Sequence, residues 1–103
     1  MPYPIEWPVP LVEDTFATVA GISTQVRAAL ATRQDCEFVN DSDETIYLAR
    51  GNAAVIGSGI RLNANGGSYT IGAKNLFLGI VYAISDGGEQ EESNLTISEG
   101  RKS

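Results

Sequence analysis

Turn-forming residues punctuate this chain so often after residue 14 that no long element fits between them. Gly21, Asn40 to Glu44, Gly51-Asn52, Gly57-Ser58-Gly59, Asn63 to Gly67 and Asp86 to Glu92 break the sequence about every ten residues. Between the breaks, apolar and polar residues alternate with the period of a strand that has one buried face. Cys36 and Phe38 alternate with Asp35 and Glu37, Ile46 and Leu48 with Tyr47, and Leu95 and Ile97 with Thr96 and Ser98. The pattern predicts an all-β domain, a small antiparallel sandwich or barrel of six to eight short strands. Segments 15–19, 22–30, 35–40, 45–50, 60–62, 68–71, 76–85 and 94–99 are the candidate strands. Good helix formers at Ala28 to Ala31 offer a competing helix over 25–32, and the β-like start of that stretch favours the strand. The polar runs 40–44 and 86–92 read as hairpin turns.

Residues 1–14 (MPYPIEWPVPLVED) differ from the rest. All four prolines of the chain lie here, at positions 2, 4, 8 and 10. Proline fixes φ, drives its predecessor to extended geometry and lacks the N–H that a central strand needs. Met1, Tyr3, Ile5, Trp7, Val9 and Leu11 place apolar side chains at every odd position from 1 to 11. The expectation is a stiff extended arm over 1–14, a β-sandwich over 15–99 and a tail over 100–103. Tyr3, Ile5, Trp7, Val9 and Leu11 are the candidate partner-binding residues. Aromatic anchors of this kind dominate interfaces, and a proline-stiffened segment loses little entropy on docking. The opposing reading has the arm folded back over its own sheet.

Composition removes several chemistries. The chain has no histidine and one cysteine, which takes away the commonest general base, the usual zinc ligand and any internal disulfide. Cys36, flanked by Asp35 and Glu37, reads as a buried small apolar residue rather than a reactive thiol. Asp41, Asp43 and Glu44, with Asn40 and Ser42, resemble the start of a calcium loop, but Ile46 and Asn52 stand where its glycine and bidentate glutamate belong. Gly57-Ser58-Gly59 lacks the rest of a phosphate-binding fingerprint. No cofactor or metal is implied, and the chain reads as non-enzymatic. A net charge of −6 repels phosphate backbones, which argues against nucleic acid as a partner. The longest apolar run, Leu76 to Ile84, is too short to span a bilayer, and the start MPYP has no signal-peptide pattern.

The order of segments after residue 14 resembles a known group. A Thr-rich first strand is followed by the polar turn Asn40-Asp41-Ser42-Asp43, then Ile46-Tyr47-Leu48 and a turn at Gly51. Gly59-Ile60-Arg61-Leu62, Asn65-Gly66-Gly67-Ser68-Tyr69, Gly79-Ile80-Val81-Tyr82-Ala83-Ile84 and Leu95-Thr96-Ile97-Ser98-Glu99 come next. These motifs resemble small β-sandwich structural proteins of tailed-bacteriophage virions, over residues 15–99; the Pro-rich arm is not part of that pattern. The resemblance implies a protein made in the host cytoplasm and located in the virion. It implies a capsid decoration or cement role, with the major capsid protein or another virion protein as partner and self-association into a homo-oligomer. A tail, baseplate or head–tail junction component is the nearest alternative. A receptor- or carbohydrate-binding module on a tail or fibre is another, with Tyr47, Tyr69, Tyr82 and Phe77 as its aromatic candidates if they are not core.

Overall fold

The computed structural model describes residues 9–88 and 92–102. Eight strands follow one another with no helix among the described residues: β1 (Leu11–Val19), β2 (Thr24–Arg27), β3 (Arg33–Asn40), β4 (Ile46–Arg50), β5 (Ile60–Leu62), β6 (Ser68–Ile71), β7 (Val81–Ser85) and β8 (Ser93–Arg101). They form two four-stranded sheets of order β1-β8-β3-β6 and β2-β7-β4-β5, and every pairing is antiparallel. Only β4 and β5 are sequence neighbours that also pair; every other connection crosses from one sheet to the other. This strand order is that of a jelly roll. The expected all-β sandwich is therefore present, in its jelly-roll form.

The alternation read in the sequence sorts the side chains. Along β8, Ser93, Leu95, Ile97 and Glu99 are buried while Asn94, Thr96 and Ser98 are half-buried on the outer face. Phe38, Cys36, Ile71, Leu95 and Ile97 from one sheet meet Leu48, Ile46, Leu62, Val81, Ala83 and Val26 from the other. Burial of such side chains contributes roughly 1.5–3 kcal/mol each and is the main cohesive force. A second, smaller apolar cluster lies on the outer face of the β2-β7-β4-β5 sheet. There the β4–β5 loop folds back, and its Ala54 packs with Tyr47 and Ile84 while its N–H donates to Ser23 Oγ at 2.8 Å.

Several expected boundaries move, each for a tertiary reason. The turn at 40–44 does not close a hairpin, because β3 and β4 belong to different sheets. Asn40 steers the crossing: its Nδ2 donates to Glu44 O at 2.6 Å and Leu62 O at 3.0 Å, and Ser42 Oγ donates to Asn40 Oδ1 at 2.6 Å. The run 86–92 likewise links β7 of one sheet to β8 of the other. The strand expected over 22–30 is confined to 24–27, since the Leu30 N–H leaves the ladder to donate to Leu78 O at 2.8 Å. The strand expected over 76–85 starts only at Val81, because Arg33 captures the Phe77 and Gly79 carbonyls. Leu11 to Asp14, read as the end of the arm, are the first residues of β1, paired with Arg101 to Ser98. Gly100 and Arg101, read as tail, complete β8, and the Lys102 N–H donates to Thr32 O at 2.8 Å.

Candidate docking end

The sandwich has two ends of opposite character. One end holds the first residues of β1, β3 and β7, the last of β2, β4, β6 and β8, and the loops 28–32 and 72–80. At its centre Arg33 is fully buried, and all three guanidinium nitrogens are hydrogen-bonded. Nε donates to Glu99 Oε2 at 2.7 Å, Nη1 to Phe77 O at 2.8 Å and Gly79 O at 3.0 Å, and Nη2 to Ala28 O at 2.6 Å. Glu99 also accepts from Arg27 Nη1 at 2.9 Å, and Arg27 reaches the exposed Glu13 at 3.3 Å. Two guanidinium groups and two carboxylates thus balance in charge. A buried carboxylate is tolerated only when paired in this way. The network ties both loops to the β1-β8-β3-β6 sheet and fixes the shape of this end.

Around that rigid centre the surface mixes grease and positive charge. Leu11, Leu76 and Leu78 are each about two-fifths exposed, at 39%, 40% and 39%. Arg50, Lys74, Arg101 and Lys102 are exposed beside them. Pro10 and Val9 lead into β1 at this same end. Val9 is half-buried: its Cγ1, with Asp35 Oδ1, occupies the space that a Cβ at position 100 would need. Gly100 is glycine for that reason, and its N–H donates to Asp35 Oδ1 at 2.9 Å.

The far end carries the opposite charge. Asp41, Asp43, Asp86 and Glu92 are exposed there, with Glu44 half-buried. Asn40 and Ser42, weighed as oxygen donors for calcium, are committed to the β3–β4 and β5–β6 loops instead. The Asn65 N–H donates to Ser42 O at 2.7 Å and the Gly66 N–H to Asn40 O at 2.8 Å, with Asn65 itself at φ 60.

Of the five residues expected to bind a partner, two fall within the described structure. Val9 packs on its own β8, and Leu11 opens β1 with its side chain partly exposed. Tyr3, Ile5 and Trp7 lie outside the described residues. The body aromatics weighed as sugar-binding candidates are taken up in packing on one face or the other. Tyr47 is buried, Phe77 and Tyr69 pack against the main core, and Tyr82 packs against the smaller cluster. Phe16 is the exception among the described aromatics, standing 64% exposed on β1 beside Asp14, Asn94 and Thr96. Cys36 is buried, and desolvation with Glu99 nearby pushes its thiol up to about 12, so it holds its proton and is chemically quiet. Gly57 and Gly59 serve the β4–β5 turn, both at φ 86.

The Arg33–Glu99 centre was not foreseen. Its one sequence signal is parity: Glu99 continues the inward series Leu95, Ile97, and an acid on the buried face requires a buried cation. Comparison with protein-family models, with curated proteins and with solved structures finds no match to this chain.

Proposed function

We propose that this chain is a non-enzymatic structural protein of a phage virion, a decoration or cement protein that docks on the major capsid protein by its Arg33-centred end. The observation that carries the reading is the polarity of the sandwich. Residues 9–11 enter at the end where Leu11, Leu76 and Leu78 are exposed together with Arg50, Lys74, Arg101 and Lys102, and Asp41, Asp43, Asp86 and Glu92 are exposed at the opposite end. Docked by the first end, the protein presents its acidic loops to solvent, a surface that keeps large particles apart. Tyr3, Ile5 and Trp7, the apolar residues that precede Val9 in sequence, are proposed as part of the same attachment. The jelly roll is an architecture used in capsid domains, which fits this reading without requiring it. Binding only to the assembled shell would stabilise that shell by mass action.

The test is binding of the full chain to expanded capsid shells, with imaging of the particle to locate the bound copies. Trp7→Ala and the double reversal Lys74→Glu/Arg101→Glu each weaken binding if the docking end is correct. Unchanged binding by both variants removes this reading. A second reading, a glycan-binding module, is favoured only by the exposed Phe16 with Asp14 and Asn94 beside it. Glycan-array binding lost in Phe16→Ala supports that reading over the first.

A further inference from the structure

The four outer edges of the two sheets are unequal. β2 and β6 have four residues each and β5 has three, and β2 is further broken by a register shift between Gln25 and Arg27. Short and irregular edges are how sandwiches avoid pairing with other chains. β1 breaks that rule. It is a regular edge strand of nine residues, paired along its whole length with β8 on one side. Among the described residues no backbone bond is made on its other side. Its outer face also carries Val12 and Phe16, 61% and 64% exposed. Val9, the first described residue, sits against Gly100 of β8 and not on the open edge.

We infer that the open edge of β1 pairs with the β1 edge of a second copy of this chain, antiparallel about a two-fold axis at Thr15, joining the two β1-β8-β3-β6 sheets into one of eight strands. Self-pairing of an edge is isologous and closes at two copies. The register follows from overlap and charge. Thr15 is the midpoint of Leu11–Val19, so an axis there pairs all nine residues of each β1. Glu13 then faces Ala17 and Asp14 faces Phe16 of the second copy, so no two carboxylates stand directly opposite. Moving the axis to position 13 or 14 sets like charges against each other. The Thr15 register also makes the two Phe16 side chains diagonal neighbours, about 7–8 Å apart at the backbone and within reach of aromatic rings. Each Phe16 then arrives beside the shallow depression lined by Asp14, Thr15, Phe16, Asn94 and Thr96 of its partner. Val12 and Phe16 each gain a cross-strand neighbour on the outer face, Thr18 and Asp14 of the second copy. The inference is independent of the docking reading above, which uses the Arg33-centred end.

Sedimentation of the full chain tests the inference, with three variants. The wild type sediments as a dimer at high micromolar concentration. Phe16→Asp sets a new carboxylate against Asp14 twice about the axis and weakens the dimer about a hundredfold, leaving the far-UV spectrum unchanged. Thr15→Cys gives a covalent dimer on oxidation by added oxidised glutathione, since directly opposed Cα atoms are about 4.5–5.5 Å apart, within disulfide range. The native Cys36 thiol is buried and does not compete. Thr18→Cys, which faces Val12 in this register, gives no such product. A monomeric wild type overturns the inference, including the case where Phe16 is found instead to bind a glycan. So does a dimer that persists in Phe16→Asp, or one cross-linked through Thr18→Cys and not Thr15→Cys. Self-association abolished by salt but indifferent to all three changes points to end-to-end stacking and overturns it as well.

Discussion

At the scale of single residues, the costliest group in the molecule is the Arg33 guanidinium, and its environment explains why it is there. Every bond it makes goes to a loop carbonyl or to Glu99, so it is a fastener for loops 28–32 and 72–80 rather than a reagent. Glu99→Ala leaves that cation buried without its counter-charge and lowers unfolding stability by about 3–5 kcal/mol, measured by chemical denaturation. Arg33→Met, which removes the charge but keeps length, leaves Glu99 paired with Arg27 and costs less. Cys36 makes a pH prediction. Its thiol keeps its proton to about pH 12 in the folded chain, whereas the ordinary value is 9.0. The unfolded chain therefore loses that proton first as pH rises, and stability falls between pH 9 and 12 by up to about 1.4 kcal/mol per unit. The contribution is complete below pH 9. Urea denaturation across this range shows the slope in the wild type and a flatter one in Cys36→Ala. A thiol reagent at pH 8 labels the native protein only as fast as it unfolds.

At the scale of elements, the loops decide where strands stop. Gly67 closes the β5–β6 crossing, where a Cβ would strike the backbone of Asn63 and, at 2.8 Å, the carbonyl carbon of Leu62. Gly67→Ala forces that turn apart and releases the Asn40 contacts packed under it, costing about 2–3 kcal/mol by thermal or chemical denaturation. Gly66→Ala also costs stability, but through backbone strain alone, since it has φ 117 and open space around its Cβ position. The strand positions themselves were mostly legible. β3, β4, β6 and β8 stand within a few residues of the alternating segments, because a period of two needs only local information. The segments 22–30 and 76–85 were read too long. Their apolar residues are as strand-like as those retained, but their backbone bonds go to Arg33 and to each other across the end of the sandwich.

At the scale of the whole molecule, the jelly roll sorts charges that look scattered along the chain. Arg50, Lys74 and the adjacent pair Arg101-Lys102 come from three separate stretches and meet at one end, while Asp41, Asp43, Asp86 and Glu92 meet at the other. If the proposed docking by the basic end holds, it is expected to be salt-dependent. Affinity for capsid shells would then fall as ionic strength rises and the screening length shrinks from about 10 Å at 0.1 M to about 3 Å at 1 M. The apolar share contributed by Leu11, Leu76 and Leu78 persists at high salt. A titration of shell binding against sodium chloride separates the two. Affinity that is indifferent to salt assigns docking to the apolar residues alone.

The residues by themselves determined what is local: an all-β class, the sites of most turns, a buried Cys36, and the want of histidine chemistry. Period-two alternation and turn chemistry act over a handful of neighbours, so they can be read in one dimension. Only the tertiary structure decided which strands pair, because all connections but one cross between sheets. It alone brought Arg33 to Glu99 across 66 positions of sequence, set Arg50, Lys74, Arg101 and Lys102 at one end, and left β1 with a long open edge. Those features depend on how the sheets stack, and stacking is set by the summed burial of both inner faces, a quantity that no single segment carries.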